Sequence, residues 1–158
     1  MSSWVCCPFD ELSASTLYDI LHLRCAIFVV GQESAYLDLD HVDKRCLHLF
    51  YLSEKGSIMA YARLLGPGAK HATQQRPMIG RVLTAPSARG KGLGKALVTR
   101  AIAECRARWP NEAIEIGAQS YLRSFYEDFG FRVTSAPYMH YSVEHMDMVR
   151  DASDAAAE

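Results

Sequence analysis

A glycine-rich segment between a predicted strand and a predicted helix is the feature that most constrains this fold. It reads Arg-Gly-Lys-Gly-Leu-Gly-Lys over residues 89–95. An apolar run over residues 78–84 precedes it, and a helical apolar stripe begins at Leu93. Its backbone N–H groups therefore lie at a helix N-terminus, where unpaired donors and the helix dipole attract anions. We expect this strand–loop–helix unit to bind a phosphate-bearing ligand.

Two familiar phosphate motifs do not match this segment. The P-loop pattern requires a glycine where Arg89 stands and a hydroxyl where Ala96 stands. The dinucleotide pattern G-x-G-x-x-G, started at Gly90, requires a third glycine where Lys95 stands. The pattern that remains is Arg-x-x-Gly-x-Gly over residues 89–94.

Apolar periodicity divides the chain into short strands and amphipathic helices. Strands are predicted at residues 4–9, 48–53, 58–65, 78–84, 113–118, 132–138 and 141–149. Helices are predicted at residues 17–28 (capped by Ser13 or Ser15 and stopped by Gly31), 93–109 and 121–129 (closed by Gly130), and residues 32–46 form a short helix or loop. This order predicts an α/β (α+β) fold, with a mixed, mainly antiparallel sheet of about six to seven strands flanked by about four helices. We predict one domain over residues 1–150 and a disordered tail over residues 151–158.

Composition excludes several classes of protein. The chain has 158 residues, 49% hydrophobic, and a net charge of −1, so it is neither disordered nor a basic nucleic-acid or membrane-surface binder. No apolar run approaches the roughly 18 residues that span a bilayer. The five cysteines include no C-x-x-C pair, and the six histidines show no ligand spacing, so we predict no metal. Reduced cysteines and the lack of an export signal predict a cytoplasmic protein.

Two motifs make the chain resemble the GNAT superfamily of N-acetyltransferases. The Arg-x-x-Gly-x-Gly motif, preceded by Val-Leu-Thr-Ala-Pro at residues 82–86, is similar to the acyl-CoA signature of that superfamily. Ser-Phe-Tyr-Glu-Asp-Phe-Gly-Phe at residues 124–131 resembles its terminal helix and following strand. Within the superfamily the chain resembles the ElaA-like branch, which typically has an acidic residue where this chain has Gly31. The residues that carry the likeness to this branch are 11–15, 23–30, 32 and 79–82.

The resemblance implies a GNAT-like fold over residues 4–150 and acetyl-CoA as co-substrate. The backbone of residues 89–94 would bind the CoA pyrophosphate, with Lys95 nearby. Residues 82–84 would pair with the pantetheine arm as an added strand, and Gln119 would touch the same arm. The implied cofactor-binding residues are Val82, Leu83, Thr84, Arg89, Gly90, Lys91, Gly92, Leu93, Gly94, Lys95 and Gln119.

The resemblance also places Tyr126 at the family position of the general acid. A phenol with a pKa of about 10 can protonate a departing thiolate when it is hydrogen-bonded to the sulfur. No cysteine has an evident activating partner, which favours direct transfer of the acetyl group to the amine. The proton acceptor stays open: Asp40 and His48 are the catalytic candidates, beside Glu33, Asp38 and a water relay.

Two arginines offer a hint about the substrate. Arg63 and Arg81 each interrupt an apolar strand, and strands paired around a loop near residue 72 would bring them close to opposite each other. Like charges in that position require acidic partners. Asp38, Asp40 or Glu33 could supply them within the protein, which is the favoured interpretation for buried arginines. In the other interpretation, a substrate carboxylate or phosphate pairs with these arginines, and Arg81 and Gln32 are substrate-binding residues.

These observations predict an N-acetyltransferase that moves an acetyl group from acetyl-CoA directly to a primary amine. The acceptor is a small molecule or a peptide of unidentified structure, and a homodimer is compatible with this interpretation. A non-catalytic acyl-CoA-binding sensor or interaction module is the alternative, with Tyr126 only packing. A second alternative is a phosphate-binding module for another nucleotide, but the mismatches to the P-loop and dinucleotide patterns argue against it.

Overall fold

The computed structural model describes residues 1–153, which form a mixed sheet with helices on both faces. Eight strands lie in the order β1-β2-β3-β4-β5-β8-β6, with β7 paired to β8. All neighbours are antiparallel except β4 and β5. The elements are β1 (Ser3–Pro8), α1 (Ala14–Arg24), β2 (Leu47–Leu52), β3 (Ile58–Leu65), β4 (Met78–Thr84), α2 (Leu93–Arg108), β5 (Ile114–Gln119), α3 (Arg123–Glu127), β6 (Arg132–Val133), β7 (Tyr138–His140) and β8 (Val143–Arg150).

The predicted fold class is confirmed, with one strand more and one helix fewer than expected. The strand predicted over residues 132–138 splits into β6 and β7, because Pro137 has no N–H for the ladder. Between them, the Ser135 hydroxyl accepts a hydrogen bond from the backbone N–H of Asp147 at 2.9 Å. Residues 32–46 contain only the 3₁₀ turn Asp43–Arg45, so the described residues hold three α-helices rather than about four.

The central strand β3 separates two apolar layers. Ala60, Ala62 and Leu64 are fully buried against α2 on one face, and Tyr61 is fully buried against α1 on the other. Because side chains of a strand alternate between faces, a strand covered on both sides is apolar almost throughout. The sheet therefore forms the rigid middle layer on which the loops that follow β4 and β5 are mounted.

The first helix begins at a side-chain cap and ends in a wider turn. The Ser13 hydroxyl accepts a hydrogen bond from the backbone N–H of Thr16 at 3.0 Å, so Ser13 rather than Ser15 is the N-cap. After Arg24 the chain continues as a π-helical segment, Cys25–Val30, and Gly31 ends it as predicted. Such widened turns are frequent at functional sites.

A cleft opens in the sheet between its two parallel strands. Met78 and Glu115 form the one register pair between β4 and β5, and after this point the strands diverge. A bulge in β4 sets Arg81 and Val82 opposite Ala62, and Arg81 has a left-handed φ of 53°. Arg63 pairs with Gly80, so in a regular strand the next residue, Arg81, would lie on the opposite face of the sheet from Arg63. The bulge places both arginines on the same face.

The end of the chain is described only in part. Arg132 Nη2 and Asp151 Oδ1 are 3.2 Å apart at the surface, whereas residues 154–158 of the predicted tail lie outside the described residues. Within the part of the chain that the structure describes, no helix is long and apolar enough to cross a membrane.

Candidate active site

The cleft between β4 and β5 opens into a cavity of about 680 Å³. Most of its lining comes from the π-helical segment and the loop after it, from β4, from β5 and from the hairpin of β7 and β8, and α3 contributes Tyr126. Because β4 and β5 diverge beyond Met78 and Glu115, the facing edge of β4 over residues 79–84 has no strand partner among the described residues. Its backbone groups can therefore pair with an extended ligand, as in strand addition.

The glycine loop reaches one end of this cavity at Arg89. Gly90 and Gly92 have φ values of 75° and 77°, which disfavour any residue with a side chain. Gly92 is the N-cap of α2, where no side chain caps the helix and the first turn holds no acidic residue. The first N–H groups of α2 thus lack a side-chain acceptor and are available to an anion. Pro86 and Arg89 line the cavity at this end.

Tyr126 lies on α3 and lines the same cavity. Gly130, with a φ of 84°, ends the helix and lets Phe131 N–H donate to the Tyr126 carbonyl at 3.3 Å. Edge-to-face contacts with Phe125 and Phe131 fix the ring, whose centroid lies 5.1 and 6.0 Å from theirs. Burial, with a smaller contribution from Tyr121, raises the pKa of Tyr126 well above its usual value, so the phenol stays protonated.

Two of the predicted site residues bind each other across the cavity. Gln32 Nε2 donates to Gln119 Oε1 at 3.0 Å, and Gln119 Nε2 donates back to Gln32 Oε1 at 3.1 Å. Gln32 follows the π-helical segment and Gln119 ends β5, so the amide pair ties these two walls together. The chain separation of 87 residues explains why sequence reasoning treated the two separately.

Arg63 and Arg81 are paired within the protein. Arg63 binds both oxygens of Asp40, at 2.8 and 2.6 Å, and Arg81 Nε donates to Asp38 Oδ1 at 2.7 Å. The structure adds a third arginine, which lies within the helix predicted over residues 17–28. Arg24 is fully buried, and it contacts Asp38 at 2.7 Å and Asp43 at 2.6 Å. We call these six side chains the arginine–aspartate network: Arg24, Arg63, Arg81, Asp38, Asp40 and Asp43.

The structure places the proposed bases Asp40 and His48 in or beside this network, outside the cavity lining. Burial alone would raise the pKa of Asp40, but the hydrogen bonds and charge of Arg63 outweigh it and hold that pKa well below its usual range. His48 is fully buried and both of its ring nitrogens are bonded, Nδ1 to the Tyr61 hydroxyl at 2.8 Å and Nε2 to the Asp43 carbonyl at 2.9 Å. Burial, with the charges of Arg24 and Arg63, lowers the pKa of His48.

Sequence reasoning missed an aromatic and histidine cluster that lines the cavity. Its four members are Tyr36, His140, Tyr141 and His145. Tyr36 packs 4.9 Å from Tyr141 and 6.2 Å from His140, between ring centroids. His140 packs 5.3 Å from His145. The available signal was two histidines near the ends of two predicted hairpin strands, where pairing brings distant positions together.

Comparison with known proteins agrees with this geometry. The sequence pattern of the acetyltransferase (GNAT) domain matches residues 33–152. Protein ElaA of Escherichia coli is 35% identical over 157 residues, which cover 98% of this chain and 100% of that protein. A UPF0039 protein of Synechocystis is 36% identical over 147 residues, covering 93% of this chain and 94% of that protein.

Two crystal structures share the fold over nearly their full length. That of Escherichia coli ElaA has a TM-score of 0.87 at 33% identity and covers 96% of this chain and 100% of its own. An acyl-CoA N-acyltransferase from Pseudomonas aeruginosa has a TM-score of 0.88 at 32% identity, covering 95% of this chain and 99% of its own. The chain has the glycine loop, the diverging strands β4 and β5 and the matching sequence pattern. It therefore belongs to the GNAT acetyltransferase family, in the ElaA-like branch.

Proposed function

We propose that this protein transfers an acetyl group from acetyl-CoA directly to a primary amine. The observation that carries the proposal is one cavity lined by the unpaired edge of β4, by the Tyr126 side chain and by Arg89, three residues before the uncapped N-terminus of α2 at Gly92. These parts fit an acyl-CoA, whose anionic end suits free N–H groups and whose extended arm suits a free strand edge. Bound there, the thioester would supply an activated acyl group and a thiolate leaving group.

The residues that would hold the cofactor follow from this fit. The N–H groups from Arg89 to Gly94 would bind the pyrophosphate, with Lys91 and Lys95 contributing positive charge at the surface. Val82, Leu83 and Thr84 line the cavity and would pair with the pantetheine arm. Gln119 would touch that arm, while its amide partner Gln32 would face the acceptor.

Two cavity side chains supply the proton transfers. The Tyr126 hydroxyl would give its proton to the departing thiolate, and its raised pKa keeps that proton in place until then. His145 Nδ1 lies 2.9 Å from the Val143 carbonyl, which can only accept, so Nδ1 carries the hydrogen. Nε2 of the neutral ring is then the acceptor, and we propose it as the group that takes the proton from the amine.

Direct transfer is supported by the state of the cysteines. None of the cavity-lining residues in the described chain is a cysteine. Burial raises the pKa of the Cys6 and Cys46 thiols to about 11 and that of Cys105 to about 12. These thiols stay protonated, and a protonated thiol is a poor nucleophile, which favours attack by the amine itself.

Thermal unfolding with and without acetyl-CoA tests the proposal first. At about 100-fold over its Kd, a ligand of the folded state adds about 2.7 kcal/mol to the free energy of unfolding. We expect this shift in the wild type, its loss in Gly92→Asp, and its retention in Gly56→Asp. Gly56 is a matched control, because its φ of 78° lies in the β2–β3 turn, away from the cavity lining.

Thiol release from acetyl-CoA with a panel of primary amines then separates enzyme from sensor. Amine-dependent release supports the transferase. A thermal shift without release by any amine would favour the acyl-CoA-binding module instead. If the wild type shows no shift while both glycine variants fold, the glycine loop does not bind CoA and the proposal fails.

A further inference from the structure

The aromatic and histidine cluster meets the arginine–aspartate network at Asp38. The Tyr36 hydroxyl and Arg81 Nε both donate to Asp38 Oδ1, at 3.0 and 2.7 Å. Tyr36 also packs against Tyr141 and His140. One wall of the cavity therefore presents a guanidinium beside two phenols and an imidazole.

The carboxylate of Asp38 is not available to a ligand in this cavity. Its side chain is fully buried, and Arg24 occupies its second oxygen at 2.7 Å. No aspartate or glutamate is among the cavity-lining residues of the described chain. The lining includes two arginines, Arg81 and Arg89. The charge of Arg81 is balanced behind the lining by Asp38 at 2.7 Å, with Asp40 3.7 Å away.

Arg81 keeps one end of its guanidinium free. Nε and Nη2 donate to the Asp38 side chain and carbonyl, at 2.7 and 3.0 Å, and Nη2 lies 3.7 Å from Asp40 Oδ2, whereas Nη1 bonds no residue between 1 and 153. The Arg81 side chain is 20% exposed. Among the described residues, Arg63 Nε is the one buried side-chain nitrogen that has no hydrogen-bond partner, so Arg81 Nη1, which also has none, is not buried. Arg81 Nη1 is therefore accessible, and its residue lines the cavity.

The backbone holds Arg81 in this position at an energetic cost. Its φ of 53° belongs to the left-handed region, which a residue other than glycine occupies only when its surroundings enforce it. The β4 bulge and the two bonds to Asp38 enforce it here. A fixed guanidinium with free N–H groups is well suited to bind a carboxylate.

We propose that the acceptor is an amine that carries a carboxylate, and that Nη1 of Arg81 binds this group. Tyr36 and Tyr141 pack against the remainder of the molecule. A polyamine or another cationic acceptor meets no carboxylate in this lining and has no group that Arg81 Nη1 would bind. The inference rests on the proposed acetyltransferase function and specifies its substrate class.

Pairs of amines that differ only in the carboxylate test this proposal on the wild-type protein. Phenylalanine is compared with phenethylamine, and lysine with cadaverine, by kcat/KM for thiol release from acetyl-CoA. A charge-assisted hydrogen bond predicts a preference of about 10- to 100-fold for the carboxylate-bearing member of each pair. Equal values, or a preference for the amine without the carboxylate, would overturn the inference.

Three arginine variants assign the preference to Arg81. Arg81→Lys keeps a cation beside Asp38, and Arg81→Asn places a residue that tolerates the left-handed conformation. We expect both to lose most of the carboxylate preference, measured as the ratio of kcat/KM between the two members of each amine pair. Arg76→Asn is the control, because Arg76 bears the same charge outside the cavity lining, 3.7 Å from Glu115. A preference that survives both Arg81 variants excludes Arg81 as the carboxylate site.

A binding measurement separates this inference from the proposed function. N-acetylphenylalanine and N-acetylphenethylamine are the corresponding products, and their effects on thermal unfolding need no turnover. We expect only the carboxylate-bearing product to stabilise the wild type, and not Arg81→Lys. That result without an acetyl-CoA shift would leave the carboxylate site standing and the transferase proposal refuted. An acetyl-CoA shift without selective binding of the carboxylate-bearing product would refute the carboxylate site and leave the transferase proposal standing.

Discussion

His48 illustrates how the surroundings of a single residue decide its role. Its Nε2 donates to a carbonyl that can only accept, so its Nδ1 is the atom that accepts from the Tyr61 hydroxyl. Both nitrogens of the neutral ring are thereby bonded, and no lone pair is left for a substrate. His145 has the same side chain with one nitrogen bonded, which leaves the other nitrogen for chemistry.

The Tyr126 hydroxyl carries the first prediction at this scale. Tyr126→Phe removes the proposed acid while keeping the ring that packs against Phe125 and Phe131. We expect kcat to fall by about 100- to 10,000-fold, the usual contribution of general acid catalysis. The acetyl-CoA thermal shift should stay unchanged. Unaltered turnover would show that Tyr126 only packs.

His145 carries the second prediction. His145→Gln keeps a polar side chain near the Val143 carbonyl but cannot take up a proton at neutral pH. We expect kcat to fall by about 100-fold or more with an unchanged acetyl-CoA thermal shift. His22→Gln, an exposed position on α1, is the matched control. Equal turnover in the two variants would remove His145 from the proposed mechanism.

The buried imidazole of His48 predicts a pH-dependent stability. Its folded-state pKa lies below the ordinary 6.5, so the unfolded chain binds the proton more readily. Its contribution is therefore complete above about pH 6.5 and is lost as the pH falls, by at most about 1.4 kcal/mol per pH unit. Urea unfolding between about pH 7 and pH 5 should show that the free energy of unfolding depends less steeply on pH in His48→Gln than in the wild type. An equal slope would mean that His48 does not titrate in this window.

At the scale of elements, helix ends and strand irregularities position the site. The π-helical segment after α1 lines the cavity, and the β4 bulge turns Arg81 toward Asp38. The start of α2 lies within the glycine loop and has no side-chain cap. Each is a departure from regular geometry that leaves backbone or side-chain groups unpaired. The regular parts of the same elements are occupied with packing the core.

The N-cap of α1 gives the prediction at this scale. Ser13→Ala removes the acceptor of the Thr16 N–H, and we expect a loss of about 1 kcal/mol in the free energy of unfolding. Ser15→Ala is the matched control, because Ser15 is exposed within the helix and should change stability by less than about 0.5 kcal/mol. Urea unfolding of both variants measures the difference. Equal losses would contradict the assignment of Ser13 as the cap.

At the scale of the whole molecule, the arginine–aspartate network joins segments that are distant in sequence. Arg24 comes from α1, Arg63 and Arg81 from β3 and β4, and the aspartates from the connection between α1 and β2. Three positive and three negative charges balance within it. After the π-helical segment, this connection has no regular secondary structure beyond one 3₁₀ turn, so these ion pairs and the Val42 and Cys46 side chains fix its course.

Removing Arg24 should therefore destabilise the whole fold. Arg24→Met keeps an apolar stem but leaves Asp38 buried without this partner, and breaking such a pair costs about 3–5 kcal/mol. Arg100→Met, which breaks an exposed pair with Glu104 on α2, should cost no more than about 1 kcal/mol. Chemical unfolding of the two variants measures both values. A similar small loss in each would show that the network adds little to stability.

Sequence reasoning succeeded where the signal is local. The strands, the α2 stripe, the stop at Gly31 and the glycine loop depend on neighbouring residues, and the structure has each of them except that the strand over residues 132–138 is divided into β6 and β7. It succeeded partly for Arg63 and Arg81, whose acidic partners Asp40 and Asp38 were among the candidates. It missed Asp43 and Arg24, because nothing local distinguishes a buried ion pair from a solvated one.

The sequence by itself determined the family, the alternation of strands and helices, and the loop suited to an anion, because periodicity and glycine spacing act over a few residues. Only the tertiary structure decided which polar groups meet. The divergence of β4 from β5 opened the cavity, and the β4 bulge reversed the face of Arg81. Pairing in the last hairpin brought His140 and His145 to the cavity wall. Contacts between residues far apart in the chain depend on register, and a shift of one residue moves a side chain to the opposite face.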